Sequence, residues 1–493
     1  MQEPLPILGN SWRFAIGQKP WRTRALDLTL WSLRALAGTG GAAKVAKLFG
    51  HPDLVFPFCA EETARIYRRE DSMPHRAVAP CLKHYKQELR KDFFVPTNKK
   101  KYYRHGMPWS KFRSKVPNWV GGPVLRNYGC AFCDVFNLGK ISANLLFYYI
   151  FRMEGILDGN RELPEDFLTE LYKWALESVG AWALGTRLGC LNNDAEGREI
   201  IKNIHGFFHS VPELELSAPL WRLYSTPAYK TYIDALDSFR SLCLKRLTDK
   251  GICATIEKAY GKKVATILAL DLLLVGVDTT AAAAASTMYL LATNTRAQRR
   301  LQHELDNNLP VGRVLTSKDL DRLPYLRALI QLIHPIIQIK PVILGNGRCL
   351  QSDAEICGYK VPKGSHVVFP HYILSNEERY FPSPEQYVPE RWLRDGDLAP
   401  SEFKEKCPAR QENKQTEEQK YDIYSWASIH PFASLPFGFG RRMCVGKRFA
   451  EAELQLLLAK VRVNFVLFYI KIMNVTPTYI PNEPLQFTMD LRK

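Results

Sequence analysis

Apolar residues dominate one long helical stretch, from Val264 to about Ala292, and cover nearly all sides of the predicted helix. A helix with this pattern belongs in the interior of a protein rather than on its surface. Its middle contains Gly276, Asp278, Thr279 and Thr280, which are unfavourable residues for the interior of a buried helix. Such a departure from local preference indicates either a helix cap or a functional site.

The two interpretations of this segment predict different structures. In the first, Asp278 or Thr279 caps a second, alanine-rich helix. In the second, one helix continues and bends, because threonine hydroxyls bond carbonyl groups one turn back. Gly276 would then leave room for a small ligand, and the acid and alcohol side chains would transfer protons. The pattern alone leaves both interpretations open.

Shorter apolar periodicities predict helices over 60–69, 163–188 and 199–250. Breaks are expected in the last segment at Pro212, Pro219 and Pro227. Alternating patterns between residues 5 and 94 predict a mixed β-sheet, and the segment from Gly358 to Gly364 is typical of a hairpin turn. The chain is therefore expected to be mainly α with a smaller β region.

Composition and charge narrow the classes of function. The 493 residues are 46% apolar and 24% charged, as in a globular protein with a large core. The net charge of +17 raises nucleic acid as a partner, but the densest basic run, Lys99 to Lys101, is short. No nucleic-acid-binding signature accompanies it, so we expect no nucleic-acid partner. The chain has no apolar run of about twenty residues, so we predict no transmembrane segment. The proline-rich N-terminal residues do not have the pattern of a transit peptide.

Eleven cysteines, an odd number without framework spacing, favour a reducing compartment. Cys130 and Cys133 have the spacing of half a zinc site or of a redox pair. No second pair or histidine partner lies at a useful spacing, so we interpret them as two incidental thiols.

Cys444 lies in a glycine-rich loop, 436–448, that runs directly into a predicted helix. Three glycines around the cysteine allow the backbone to follow a flat ligand closely, and Arg442 offers a cation to an acidic group. A dinucleotide-binding loop fits poorly, because Met443 occupies the position of its third glycine. The simpler alternative is an ordinary cysteine in a turn before a helix.

The spacing Phe-x-x-Gly-x-Arg-x-Cys-x-Gly, which begins at Phe437, resembles the haem-binding loop of cytochromes P450. Gly-x-Asp-Thr-Thr in the long helix resembles the oxygen-activation motif of the same family. The resemblance implies the cytochrome P450 fold as a single domain over 1–493, with haem b (iron protoporphyrin IX) bound through Cys444. A thiolate ligand favours O–O cleavage, so the implied activity is a monooxygenase that inserts one oxygen atom from O2 into an apolar substrate.

The same resemblance gives each candidate residue an expected role. Asp278, Thr279 and Thr280 are expected to deliver protons. The residues expected to hold haem are Cys444 as the metal ligand, Phe437, and the propionate-binding Trp109, Arg113, Arg348 and Arg442. Trp109 and Arg113 lie four residues apart and share one face if the segment is helical.

Among P450s, the chain resembles the mitochondrial type of arthropods in the segments 264–280, 341–348 and 444–448. That group takes electrons from a small acidic ferredoxin, and Lys447 and Arg448 would suit its docking. The two cations are equally typical of a solvated helix surface. The resemblance also implies the matrix side of the mitochondrial inner membrane, with peripheral membrane contact. The substrate class stays open among steroid-like compounds, lipids and xenobiotics.

Two stretches, 115–152 and 329–340, do not fit the family pattern. In the second, Pro335 and Gln338 occupy the positions of the family's Glu-x-x-Arg motif, which pairs with the later Pro-Glu-Arg segment. A proline inside that helix would cost roughly 3 kcal/mol, and we expect Arg391 to be buried without a partner. The alternative function is therefore an inactive or non-catalytic haem-binding relative. Both stretches depart abruptly from the family pattern, whereas the residues on either side of them fit it well. This favours the explanation that the sequence contains a segment foreign to the protein.

Overall fold

The structure is a computed structural model, and helices predominate in the part of the chain that it describes. The described residues are 43–46, 52–70, 74–75, 79–91, 155–158, 162–164, 166–184, 186–192, 195–216, 218–247, 257–258, 261–309, 317–331, 345–384, 386–393, 429–469 and 487–491. The first stretch without a family match, 115–152, lies outside them, as do Trp109, Arg113, Pro335 and Gln338.

Most of the described helices lie in the chain between the second and third strands, and two follow the sixth strand. They are α1 (Ala60–Arg68), α2 (Pro80–His84), α3 (Phe167–Leu184), α4 (Ala195–Leu216), α5 (Pro227–Lys245), α6 (Lys262–Thr293), α7 (Thr295–Asn308), α8 (Ser317–Asp321), α9 (Pro324–Gln331), α10 (His371–Leu374) and α11 (Lys447–Asn464). A π-helical turn, Tyr85–Leu89, follows α2. The first three residues of the second deviating stretch, 329–331, continue α9.

The strands form small sheets. They are β1 (Ala43–Ala46), β2 (Leu54–Pro57), β3 (Asn346–Cys349), β4 (Ala354–Ile356), β5 (Tyr359–Val361), β6 (His366–Phe369), β7 (Phe465–Tyr469) and β8 (Phe487–Leu491). The largest sheet has the order β1-β2-β6-β3, in which β2 and β6 are parallel and the other pairs antiparallel. The expectation of a mainly α protein with a smaller, mixed β region is confirmed.

Helix α6 is continuous through its polar middle, so the interpretation of Asp278 or Thr279 as the cap of a second helix is wrong. The Thr279 hydroxyl donates to the Val275 carbonyl at 2.9 Å, one turn back, as the alternative predicted. Among the described residues α6 alone is long and apolar enough to cross a membrane, with a mean hydropathy of 1.8. However, 61% of that segment is buried inside the protein, as expected for the central helix of a core.

The predicted break at Pro212 is wrong, because this proline lies inside α4. A proline removes one helical hydrogen bond, but Phe207 and Leu214 on either side are buried in the core and hold both halves in place. Pro219 precedes a short 3-10 turn, and Pro227 begins α5, as expected. Only two of the three prolines therefore separate helices.

The hairpin turn lies earlier than predicted. Strands β4 and β5 pair antiparallel, with Ile356 opposite Tyr359, and Cys357 and Gly358 between them have φ of 51° and 80°. Two consecutive residues with positive φ produce the tight turn that matches the twist of the strands. Residues 359–361, assigned to the turn from their Gly and Pro neighbours, are instead the second strand.

A large apolar core joins α3, α4, α5, α6, α9 and α11. Trp182 of α3 stacks on Phe449 of α11 with ring centroids 4.2 Å apart, and Val445 packs against the same core. Because Val445 and Phe449 follow Cys444 closely in the chain, this packing fixes one end of the cysteine loop.

Arg391 is buried but has partners, so the expectation of an unpaired guanidinium is wrong. Its Nη2 donates to the Ser383 carbonyl at 2.7 Å, and its Nη1 donates to the Pro382 carbonyl. The neighbouring Glu390 pairs with Arg296 and Arg300 of α7 at 3.1 and 2.8 Å. Backbone carbonyls and helix α7 therefore supply the partners that were expected from the Glu-x-x-Arg positions.

Two glycines at the start of β3 provide a matched test of the sheet. A Cβ on Gly345 would lie 2.1 Å from the Phe369 carbonyl oxygen, whereas one on Gly347 would meet the Val367 carbonyl oxygen at an ordinary 3.8 Å. We expect Gly345→Ala to lower the free energy of unfolding by about 1–3 kcal/mol and Gly347→Ala to change it little. Thermal unfolding of both variants at one heating rate measures the difference. Equal midpoints would contradict the close approach of β3 and β6.

Candidate functional site

The loop before α11 holds Cys444 in an exposed position. The Cys444 N–H donates to the Phe437 carbonyl at 2.7 Å, and the Gly438 N–H donates to the Leu435 carbonyl at 2.9 Å. Gly438 and Gly440 both have φ of 70°, a conformation that residues with a side chain rarely adopt. The backbone thus fixes the cysteine, while its thiol stays accessible to a ligand.

Arg348 of β3 reaches this loop from the main sheet. Its guanidinium is nearly buried, and Nη2 donates to the Phe439 carbonyl at 3.1 Å, while Nε donates to Glu70. The group also lies over the Tyr67 ring, 4.9 Å from its centroid. Arg348 therefore connects the sheet, the end of α1 and the cysteine loop.

Arg442, on the loop itself, lies near the same carboxylate. Its Nε donates to the Pro74 carbonyl at 2.9 Å. Burial raises the pKa of Glu70, although the positive charges of Arg348 and Arg442 oppose the shift. The two arginines predicted to bind propionates thus lie around one internal carboxylate.

Asp278 lies on the side of α6 that contacts α3. The Tyr172 hydroxyl donates to Asp278 Oδ1 at 2.8 Å, and burial raises the pKa of Asp278. The charge of His209, an exposed residue of α4, acts against that shift. Thr280 is buried, 4% exposed. The acidic group of the motif is therefore held between three helices.

Gly276 lies where α6 passes α3. A Cβ at this position would lie 3.4 Å from both γ-methyl groups of Val179 on α3, an ordinary contact. The role of Gly276 in leaving room for a small ligand stays a prediction.

The structure brings the predicted residues together in two groups. The first group is at the cysteine loop, which contains Phe437, Arg442 and Cys444 and is contacted by Arg348 of β3. The second group, residues 278–280, lies on α6. Helices α6 and α11 pack in one core, which relates the two groups. Trp109 and Arg113 lie outside the described residues.

Sequence reasoning missed three residues of these groups: Glu70, Tyr67 and Tyr172. Glu70 follows two arginines in the chain and has the pattern of a solvated charge run. Tyr172 lies in a helix where aromatic residues indicate packing only. Tyr67 lies in the helix predicted from apolar periodicity over 60–69, and nothing in its neighbours indicates an arginine above the ring.

The two cations at the start of α11, Lys447 and Arg448, differ in exposure. Lys447 pairs with Glu451 at 3.8 Å and lies 5.6 Å from the centroid of the Phe437 ring. Arg448 is exposed. Arg448 is thus the more accessible of the two predicted docking cations.

The residues around the loop fit a haem. An exposed thiol offers an axial ligand for iron, and two guanidinium groups nearby offer cations for carboxylates. Loop glycines with positive φ allow the backbone to approach a flat group.

Comparisons with known proteins identify the family of the chain. The family model described as Cytochrome P450 matches residues 253–489. The chain is 42% identical to the probable cytochrome P450 49a1 of Drosophila melanogaster, over 99% of this chain and 82% of that protein. It is 36% identical to the probable mitochondrial cytochrome P450 301a1 of the same species, over 99% of this chain and 85% of the relative. The probable mitochondrial cytochrome P450 12a5, also from D. melanogaster, is 32% identical over 89% of this chain and 81% of the relative. The chain therefore belongs to the cytochrome P450 family of monooxygenases.

Proposed function

We propose that the chain is a haem-thiolate monooxygenase in which Cys444 binds the iron of haem b and an apolar substrate receives one oxygen atom from O2. The observation that carries this proposal is the exposed Cys444, fixed by its hydrogen bond to Phe437 and flanked by Arg348 and Arg442. Haem, when bound, supplies the activation of O2.

The residues of the loop have separate tasks in this proposal. Cys444 provides a thiolate, and the Phe437 carbonyl keeps its backbone in place. Arg348 and Arg442 provide cations for the propionates, and Trp109 and Arg113 stay predictions for the same task.

Asp278, with Thr279 and Thr280, is proposed to hold and deliver protons. A raised pKa means that the Asp278 carboxyl keeps its proton to higher pH than an exposed aspartate would. Tyr172 occupies Oδ1 as a donor, so Oδ2 is the atom that would carry the proton. The exposed His209 next to this carboxyl provides a route for protons from solvent.

We further propose that the protein works in mitochondria and takes electrons from a ferredoxin. The support is that relatives such as the probable cytochrome P450 301a1 are named mitochondrial, together with the exposed Arg448 beside the loop. The substrate class stays among steroid-like compounds, lipids and xenobiotics.

Peripheral membrane contact is part of the same proposal. The turn between α4 and α5 exposes Leu220, Leu223 and Tyr224, with exposed fractions of 43%, 83% and 58%. Contiguous exposed apolar side chains of this size are typical of an interaction site.

The reduced, CO-bound spectrum tests the haem ligand. We expect the wild type to show the Soret band of a thiolate-bound haem and Cys444→Ala to lose it, because the substitution removes the proposed thiolate ligand. The control Cys59→Ala removes a partly exposed thiol outside the loop and should keep the band. A band that survives in Cys444→Ala would refute the ligand assignment. A wild type without any haem signal would favour the alternative of an inactive relative.

Stopped-flow reduction tests the ferredoxin surface. Lys447→Glu with Arg448→Glu should slow reduction by ferredoxin at least tenfold and leave reduction by dithionite unchanged, because charge complementarity mainly speeds docking. The matched pair Arg198→Glu and Lys202→Glu makes the same charge change on exposed positions of α4. Equal slowing by both pairs would count against docking next to the loop.

Vesicle sedimentation tests the membrane contact. Leu223→Ser with Tyr224→Ser should reduce binding to phospholipid vesicles at least tenfold, since full burial of even one apolar side chain contributes about 1.5–3 kcal/mol and about 1.4 kcal/mol is a factor of ten. Tyr359→Ser, which alters a residue 65% exposed on the β4–β5 hairpin, is the control. Unchanged binding of the double variant would exclude this turn as the contact.

A further inference from the structure

Glu70 is a nearly buried carboxylate to which the proposed chemistry gives no task. It lies just beyond the end of α1, and its side chain is 11% exposed. A carboxylate leaves water at a high cost unless a charged partner compensates it. The compensating groups here are Arg348, which donates to Glu70 through Nε, and Arg442, whose charge also acts on it.

The contact through Nε determines how the Arg348 guanidinium is oriented. The group is planar and rigid, so fixing Nε also fixes the directions of the two Nη nitrogens. Nη1 donates to the Gly347 carbonyl at 3.0 Å and Nη2 to the Phe439 carbonyl at 3.1 Å. Each Nη nitrogen has a second N–H. The same guanidinium therefore keeps donors for a carboxylate ligand while Glu70 holds its other edge.

The end of α1 contributes more than one contact to this arrangement. Tyr67, one turn before Glu70, lies beneath the Arg348 guanidinium. The carbonyl end of a helix favours a nearby cation. Farther along the chain, the Pro74 carbonyl accepts from Arg442, and the His75 carbonyl accepts from the Cys349 N–H at 2.8 Å. The segment from Tyr67 to His75 thus contacts both arginines.

The positive charges of Arg348 and Arg442 both act on Glu70. His371 near Arg348 adds no positive charge at neutral pH, because burial lowers its pKa to about 3.

We propose that Glu70 is a positioning residue for haem, which orients the Arg348 guanidinium toward a propionate. This inference rests on the proposed haem binding. A competing role, in which Glu70 blocks Arg348 from the propionate, predicts that haem binds more tightly when the carboxylate is removed. Glu70 accepts from Nε, which leaves Nη2 directed to the loop through the Phe439 carbonyl, and this favours the positioning role.

Haem retention tests the proposal without any substrate. Haem transfer from the holoprotein to excess apomyoglobin should be about tenfold faster in Glu70→Gln, because a charge-assisted hydrogen bond is lost. Glu62→Gln is the matched control, since Glu62 lies on the same helix and pairs with Arg65. It should lose haem at the wild-type rate.

Haem dimethyl ester, which has no propionate carboxylates, separates positioning from general stability. With this ligand Glu70→Gln and the wild type should lose the group at equal rates. An equal acceleration with haem and with its ester would show that Glu70 only stabilises the loop, and would overturn the proposal. Slower loss from Glu70→Gln would overturn it in favour of competition.

Two further results keep the test decisive. Should Glu70→Gln prevent folding, Glu70→Asp retains the charge but shortens the side chain, and the same difference between haem and its ester is expected of it. Equal loss of both ligands from Glu70→Asp would again overturn the proposal. A wild type that takes up no haem would overturn haem binding itself, whereas a wild type that binds haem but loses it no more slowly than Glu70→Gln would overturn only the role of Glu70.

Discussion

The buried guanidinium of Arg348 is the interaction on which the candidate site depends. It joins three parts of the chain that the fold brings together: the end of α1, strand β3 and the cysteine loop. A buried cation of this kind is stable only while its carboxylate and carbonyl partners stay in place. The position of the Cys444 loop is therefore coupled to the sheet on one side, and through Phe449 to the helical core on the other.

Close packing of helices governs the second half of the site. Gly276 of α6 faces Val179 of α3, and Tyr172 of α3 reaches Asp278. A neighbouring helix thus satisfies Asp278, whereas the Val275 carbonyl of α6 itself satisfies the Thr279 hydroxyl. A helix interior that violates local preference is stable where tertiary partners compensate for it.

Local signals predicted the parts of the structure that depend on neighbouring residues. The long apolar run predicted α6, and the glycines predicted the loop that exposes Cys444. Both predictions succeed because the helical pattern and the backbone φ angles depend on residues close together in the chain. The same reasoning failed at Pro212, where packing on both sides outweighs a missing hydrogen bond. It also failed at Arg391, because no local pattern indicates that the turn at Pro382 and Ser383 supplies its carbonyl partners. Glu70 was missed for a related reason: its partner lies in another element, and a carboxylate after two arginines has the pattern of a solvent-exposed position.

The separation of Glu70 from its partner has a consequence for how the protein is made. Arg348 is synthesised 278 residues after Glu70, and Phe439 follows Arg348 by another 91 residues. At the usual 5–20 residues per second, a ribosome needs roughly 15–55 s to cover the first distance. During that time the Glu70 carboxylate stays hydrated, and the end of α1 has no arginine to bind. The contact between Arg348 and the cysteine loop can therefore form only after Phe439 has been synthesised.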